Sequence, residues 1–435
     1  MRRRAESILI GLALFTLPAA RALVAPPILT AAQVSFEQVV QELGSPEASV
    51  RLRAIRLLRD AAYPEAAVAL SVLLTDPDDE VRLEALAAEL NIFLVEPIVT
   101  RKRVGLVVEV RNRIDAEAVF SKGPLAIGAK PVPVEVLTAL RKATRDANPR
   151  VALEALYGLG TLGAEPGGAR RHALLAESGS DLASMIGAAS QAHRYAAIRV
   201  IGRVYEWRPG DDPVDPMVGD GMVGALNDGD RGIRIEAMRA LGSMRYDRAV
   251  AALAEQFQYF GKGELAEAAL DALAHIAHPA SALILLPQLA SKDETLKVTA
   301  IEGLARIGDA NRRPNIESVL TGDGDDRVQL AGAFAAVLLS DAPLDRITEA
   351  LRRPKLADRA RHYLVAVARG RSAAFSRHAQ DPDVQIRTGV ADALGLAGDT
   401  AALPIVEKML RDRDPQVARA AERAVARLSA LGRTT

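Results

Sequence analysis

A motif of the form Asp-Pro-Asp-x-x-Val/Ile-Arg-x-x-Ala returns along this chain about every thirty-one residues, and that recurrence constrains the fold more than any single residue does. The clearest copies are Asp76-Pro77-Asp78-Asp79-Glu80-Val81-Arg82, Asp381-Pro382-Asp383-Val384-Gln385-Ile386-Arg387 and Asp412-Arg413-Asp414-Pro415-Gln416-Val417. Taking the apolar residue of the Val-Arg pair as position 0, anchors fall at Val50, Val81, Val151, His193, Ile233, Leu265, Leu296, Val328, Leu356, Ile386 and Val417. From Ile233 to Val417 the spacings are 32, 31, 32, 28, 30 and 31, the length of one helical hairpin. Such a unit cannot hide its apolar side alone and has to stack on its neighbours.

Position 4 after the anchor holds Ala or Gly in ten of eleven copies, Val390 being the exception. Position 8 holds Ile, Leu or Val in nine, among them Leu58, Leu159, Leu241, Leu273, Leu304 and Leu394. Residues at 0, 4, 7 and 8 share one helix face, and the small residue at 4 lets a neighbouring helix come close. Each such helix follows a turn with a side-chain acceptor, Asp78, Asp230, Asp293, Asp325, Asp383 or Asp414, often beside Pro77, Pro149, Pro382 or Pro415. Aspartate caps the free amides there, and proline suits a first turn that needs no donor. First helices are expected over 64–74, 134–143, 248–257, 282–290 and 403–411, and no strand alternation interrupts the pattern from Pro213 onward.

Composition agrees with Ala-rich packed helices, because the chain is 49% apolar yet only 4% aromatic. Basic and acidic residues both number 55, so no global field draws the chain to a polyanion or an anionic membrane, and nucleic acid is not an expected partner. The lack of cysteine removes disulfides, thiolate metal sites and cysteine nucleophiles.

The N-terminus reads as a secretory signal peptide over residues 1–22. Arg2, Arg3 and Arg4 precede the apolar run 8–17, and Pro18 breaks it before Ala20-Arg21-Ala22, an A-x-A cleavage site. Ten apolar residues are too few for a span of about 20. Cleavage after Ala22 leaves a charge near −3 and no membrane-spanning segment, with an exported, periplasmic or cell-envelope location expected. Residues 23–33 form an extended linker, since Pro26-Pro27 cannot lie inside a helix.

With this motif and period, residues 34–435 resemble the HEAT-repeat superfamily, especially the short repeats of phycobilin-lyase-like proteins. The resemblance implies an all-α fold, a right-handed α-solenoid of about eleven stacked hairpins. It also implies a ladder between the loop acid and the Arg after the anchor. Arg51, Arg82, Arg194, Arg234 and Arg387 match, Lys297 substitutes, and Ala152, Ala266, Gln329, Ala357 and Ala418 depart. Lyase activity belongs to particular members and is not implied by the repeat, although an enzyme or enzyme-accessory role stands as the alternative to a scaffold.

Two stretches break the period. Residues 91–133 contain Arg101-Lys102-Arg103, the run 104–110 rich in valine, then Arg111 and Arg113. They read as a β-hairpin or extended insertion that a partner could touch, or else as a degenerate hairpin with solvated arginines. Residues 205–220 form a Pro-, Gly- and Asp-rich loop with Trp207, the sole tryptophan. Asp211, Asp212 and Asp215 lack the spacing of a calcium loop, and Asp323-Gly324-Asp325-Asp326 is a turn between helices.

No motif for nucleophilic, metal or phosphate chemistry is present, so no catalytic residue, metal or cofactor is expected. His275 and His278 stand one turn apart at a helix end, where a cation suits the dipole. Second helices stacked as in the superfamily line the concave side, with positions 3 and 6 facing outward. Position 6 then presents Arg56, Ala87, Tyr157, Arg199, Arg239, Asp271, Glu302, Phe334, His362, Asp392 and Arg423. The expected function is a non-enzymatic scaffold binding a protein or peptide along this stripe and through Arg101, Lys102 and Arg103, with Tyr157 and Phe334 as aromatic anchors.

Overall fold

The computed structural model describes residues 35–95, 114–123, 126–128, 130–163, 179–208 and 212–432. The signal and linker readings at 1–33, and the basic and valine-rich run 101–111, lie outside the described residues.

The described chain is a succession of hairpins. In chain order they are α1 (Phe36–Glu42) with α2 (Ala48–Ala61), and α3 (Ala67–Val72) with α4 (Asp79–Phe93). A lone α5 (Ala116–Ser121) follows, then α6 (Val134–Ala143) with α7 (Pro149–Leu162), and α8 (179–186) with α9 (Gln191–Val204). Next come α10 (Pro216–Gly224) with α11 (Arg231–Ser243), α12 (Val250–Phe260) with α13 (Glu264–Ile276), and α14 (Ala282–Gln288) with α15 (Glu294–Ile307). The last are α16 (Arg313–Gly322) with α17 (Asp326–Ser340), α18 (Asp345–Ala350) with α19 (Pro354–Ala368), α20 (Val384–Ala397), and α21 (Leu403–Met409) with α22 (Pro415–Gly432). Before α20 two 3-10 turns, Ser372–Phe375 and His378–Gln380, replace a first helix. All eleven anchors fall on second helices, and each second helix packs on the next in chain order. The result is an α-solenoid. Among the described residues the β-structure is one isolated bridge, Leu94 to Ile127.

The turn aspartates act as the sequence requires. Asp78 accepts from the amides of Glu80 and Val81, Asp230 from Ile233, Asp293 and Asp325 from two amides each, Asp383 from Gln385 and Asp414 from Gln416. Each such cap stabilises its helix by about 1 kcal/mol.

The alanines at position 4 are fully buried, and glycines at position 9 mark a second place of close approach. A Cβ on Gly242 would meet the Ala272 Cα at 2.9 Å, and one on Gly395 the Ala424 Cα at 2.7 Å. These contacts join position 9 of one second helix to position 7 of the next. Position 4 serves closure within a hairpin where it is glycine: Gly332 lies against Leu320 of its own first helix.

The ladder runs where its residues exist. Arg51 reaches Asp76 at 2.7 Å, Arg82 reaches Asp146 at 3.0 Å, Arg194 reaches Asp228 at 2.8 Å, Lys297 pairs with Asp323, and Arg387 grips Asp412 with two bonds of 2.7 and 2.9 Å. Hydrogen bonds from Arg194, Lys297 and Arg387 hold Asp228, Asp323 and Asp412 below the ordinary carboxylate value. The same arginines donate to carbonyls of their own preceding turn, so each ties two repeats together. Arg234 faces a Gly261-Lys262-Gly263 turn with no acid and lies over the Phe260 ring at 5.8 Å. Gln329 keeps half of the role, donating to the Leu320 and Asp323 carbonyls.

Two repeats lack Ile, Leu or Val at position 8. Glu89 stands there in α4, fully buried, with neither carboxylate oxygen hydrogen-bonded. Ala336 stands there in α17, lining a half-open cavity of about 390 Å³ bounded also by Ile316, Leu320 and Leu339.

Candidate binding face

The structure sorts the sequence-predicted stripe on the second helices into three groups, some of its residues exposed and others, such as Tyr157 and Phe334, buried. In the first repeats Arg56 is half-exposed, 3.7 Å from Glu84, which also receives Arg59.

At α7 and α9 the stripe is covered. The six-residue helix α5 lies on α7, with Ile114, Ala116, Val119 and Phe120 buried. Phe120 packs 5.4 Å from the Tyr157 ring, so Tyr157 is 3% exposed and offers no free aromatic surface. Burial, reinforced by the Glu117 charge, pushes its hydroxyl up to about 12. Arg199 donates to Glu117 at 2.8 Å, to Ser121 at 3.0 Å and to the Tyr157 hydroxyl at 3.3 Å. Arg203 donates to the Phe120 carbonyl and lies 3.6 Å over its ring. The sequence places Tyr157 and Arg199 on the right helix face, but a segment outside the repeat register occupies that face first. Arg101, Lys102 and Arg103 lie outside the described residues.

From α11 to α19, among the described residues, no helix outside the repeats lies on the second helices as α5 does on α7, and their charged groups gather. Arg239 is exposed and bonded to Glu236 of its own helix at 2.6 Å. His275 Nδ1 lies 2.9 Å from the Asp271 carbonyl and 3.4 Å from its carboxylate. Burial opposes charge on both, yet their mutual hydrogen bond and charges win, holding Asp271 below and His275 above their ordinary values. Glu302, 4% exposed, accepts from Arg359 and from the Tyr363 hydroxyl, with Arg306 at 3.4 Å. Phe334 is fully buried, stacked on Tyr363 at 4.3 Å with a 16° tilt, and the Arg306 guanidinium lies 5.3 Å from the centre of the Phe334 ring. Phe334 is therefore a spacer between helices rather than a presented anchor. Residues of α15 and α19 meet across α17 at this point. His362 stands exposed on α19, while Asp392 of α20 and Arg423 of α22 pair at 2.9 Å.

A further set escaped the stripe. Position 10 lies one turn beyond position 6 on the same face, and it carries Arg203, His275 and Arg306. That spacing is the signal that could have found them. Arg245, just past α11, could not be read this way, because its backbone is left-handed with φ +50° and its direction follows from the tertiary turn. Its guanidinium stacks on Trp207 at 3.9 Å. The Trp207 amide donates to the Ser243 carbonyl at 2.9 Å, which brings the 205–220 loop onto the end of α11. Asp215 in that loop caps α10 through the Met217 amide. Burial, and then the Arg306 charge, lower the pKa of Arg245. Among the described residues Arg245 and Arg203 have no acidic hydrogen-bond or ion-pair partner.

No family model matches the sequence, and no curated protein matches it. Solved structures give distant likenesses. An engineered protein is 18% identical over 91% of this chain and 98% of its own, with a TM-score of 0.43. Yeast importin-β (Kap95p) is 15% identical over 92% of this chain and 51% of its own, at 0.36, so this chain spans about half its length. The complex of CpcE and CpcF of phycocyanin lyase from Nostoc sp. PCC7120 is 18% identical over 57% of this chain and 93% of the other, at 0.35. No function passes to this chain from matches at these levels.

Proposed function

With a HEAT-type α-solenoid as the premise, we propose that this chain is an exported, non-enzymatic scaffold that binds a protein or peptide along the second-helix face from α11 to α19. The observation that carries the reading is the gathering there of charged side chains from four repeats, Arg245, Asp271, Glu302, Arg306 and Arg359, with Arg245 exposed and Glu302 buried among its partners. Extended faces of this kind give a solenoid a long surface with many small contacts. No helix among the described residues is long and apolar enough to cross a membrane. Export is proposed on the N-terminal Arg cluster, apolar run and A-x-A site.

Two experiments test the two halves. Mass spectrometry and N-terminal sequencing of the chain from a periplasmic fraction should give Leu23 as the first residue; retention in the cytoplasm with the N-terminus uncut refutes export. Capture of partners from an envelope extract should yield a protein lost when the exposed Arg239 and His362 and the half-exposed Asp271 are replaced together by alanine. A triple variant that retains every partner refutes the face assignment.

A further inference from the structure

The open face is unevenly charged, and the imbalance identifies an occupant. Arg239 is paired with Glu236 of its own helix, and three further guanidiniums, Arg245, Arg306 and Arg359, and the His275 imidazole share the face with two further carboxylates, Asp271 and Glu302. Both acids are already engaged: Glu302 by Arg359, Tyr363 and Arg306, and Asp271 by His275. Arg245 is exposed, is without an acid among the described residues, and lies within electrostatic reach of Arg306 two repeats along. Like charges brought together are unfavourable unless a third group offsets them. The C-terminal ends of α11, α13 and α15 supply only about half a negative charge each, so cationic excess remains.

The arginine is also preorganised. Its place 3.9 Å from the centre of the Trp207 ring restrains the guanidinium, whose fork of N–H donors is of the kind that takes a carboxylate in two parallel hydrogen bonds. The ring in turn is held through its backbone on Ser243, and Ser243 Oγ donates to the Gly202 carbonyl at 3.0 Å.

We propose that Trp207, Arg245, His275 and Arg306 form a receptor for an acidic segment, rich in Asp or Glu, of a protein partner. The proposal rests on the scaffold reading and names the chemistry of what the scaffold holds. A nucleic acid fits less well. It requires a continuous positive track, whereas the half-exposed Asp271 and the acids Glu236 and Asp392 interrupt this one.

The test is fluorescence anisotropy on the full chain with labelled octaglutamate amide, octalysine amide and octathymidylate. The wild type should bind octaglutamate in preference to the other two, and more weakly as salt rises. Arg245→Gln and Trp207→Leu should each weaken binding about tenfold, with circular dichroism spectra unchanged. Arg346→Gln, an exposed arginine on α18, should bind as the wild type does. The proposal is overturned if octaglutamate binds no better than octalysine, if Arg245→Gln binds unaltered, or if octathymidylate binds best. Those results leave the scaffold reading intact as long as the Arg239, Asp271 and His362 variant still loses a captured partner. Loss of that second result alone sinks the scaffold reading instead.

Discussion

Replacing Glu89 by leucine should stabilise the N-terminal repeats, and the structure allows its size to be worked out. Glu89 occupies position 8 of its repeat, where nine of the eleven copies carry Ile, Leu or Val. It is fully buried and neither oxygen has a hydrogen-bond partner. An unsatisfied buried polar group costs about 1–3 kcal/mol. A leucine in the same space contributes about 1.5–3 kcal/mol from apolar burial. The expected gain is therefore about 2.5–6 kcal/mol at neutral pH, from the sum of those two effects. Burial also pushes the carboxyl well above its ordinary value, which adds a pH signature. A carboxyl whose folded pKa is raised contributes stability that is fully present below the unfolded value and is lost as pH rises through the folded one. Between the two values stability falls by about 1.4 kcal/mol per pH unit. Glu89→Leu removes that slope, and Glu89→Gln removes it while keeping the unpaired polar atoms. Hydrogen exchange of the α4 amides between pH 5 and 8, with urea unfolding followed by circular dichroism, measures both effects. A leucine variant no more protected than the wild type, or one that keeps the wild-type pH slope, refutes the reasoning.

Other substitutions probe different parts of the stack. Ala336→Leu should fill part of the cavity of about 390 Å³ beside α16 and raise the unfolding midpoint, a gain of about 1 kcal/mol. Gly242→Val drives a side chain into the Ala272 backbone and should cost about 2 kcal/mol, seen as a lower urea midpoint with loss of protection in α11 and α13. Arg387→Ala removes the paired hydrogen bonds to Asp412 and frees the Asp381 and Pro382 carbonyls; α20 and α22 should lose about 2–4 kcal/mol of exchange protection. The His275 imidazole should titrate above a free histidine in an NMR pH series and move down in Asp271→Asn. Its contribution to stability is lost as pH rises through the raised value, and that of Asp271 is lost as pH falls through the lowered one.

Much of the architecture was legible because a solenoid is local. Capping by Asp78, Asp230 or Asp383 depends on amides two or three residues away, and the anchors at period thirty-one mark one face of one helix each. The ladder was legible for the same reason, since Arg387 meets the loop acid of the very next repeat. Its failure at Arg234 was not, because whether an arginine finds an acid depends on which turn its neighbour brings. The face residues were read less completely. Positions 3 and 6 do not all face outward: Ala196, Ala331 and Ala420 at position 3 and Tyr157 and Phe334 at position 6 are buried, because exposure is decided by neighbours such as α5 over Tyr157 and Tyr363 against Phe334.

The sequence by itself determined the hairpin unit, its period, its caps and its order of stacking, because those follow from contacts within a repeat or between adjacent ones. Only the tertiary structure decided which charged side chains face one another. Asp271, Glu302 and Arg359 belong to different repeats, and Arg245 takes its direction from a left-handed residue at a helix end. Their meeting depends on how far each helix is turned and spaced against the next, a quantity fixed by the packing of all of them together.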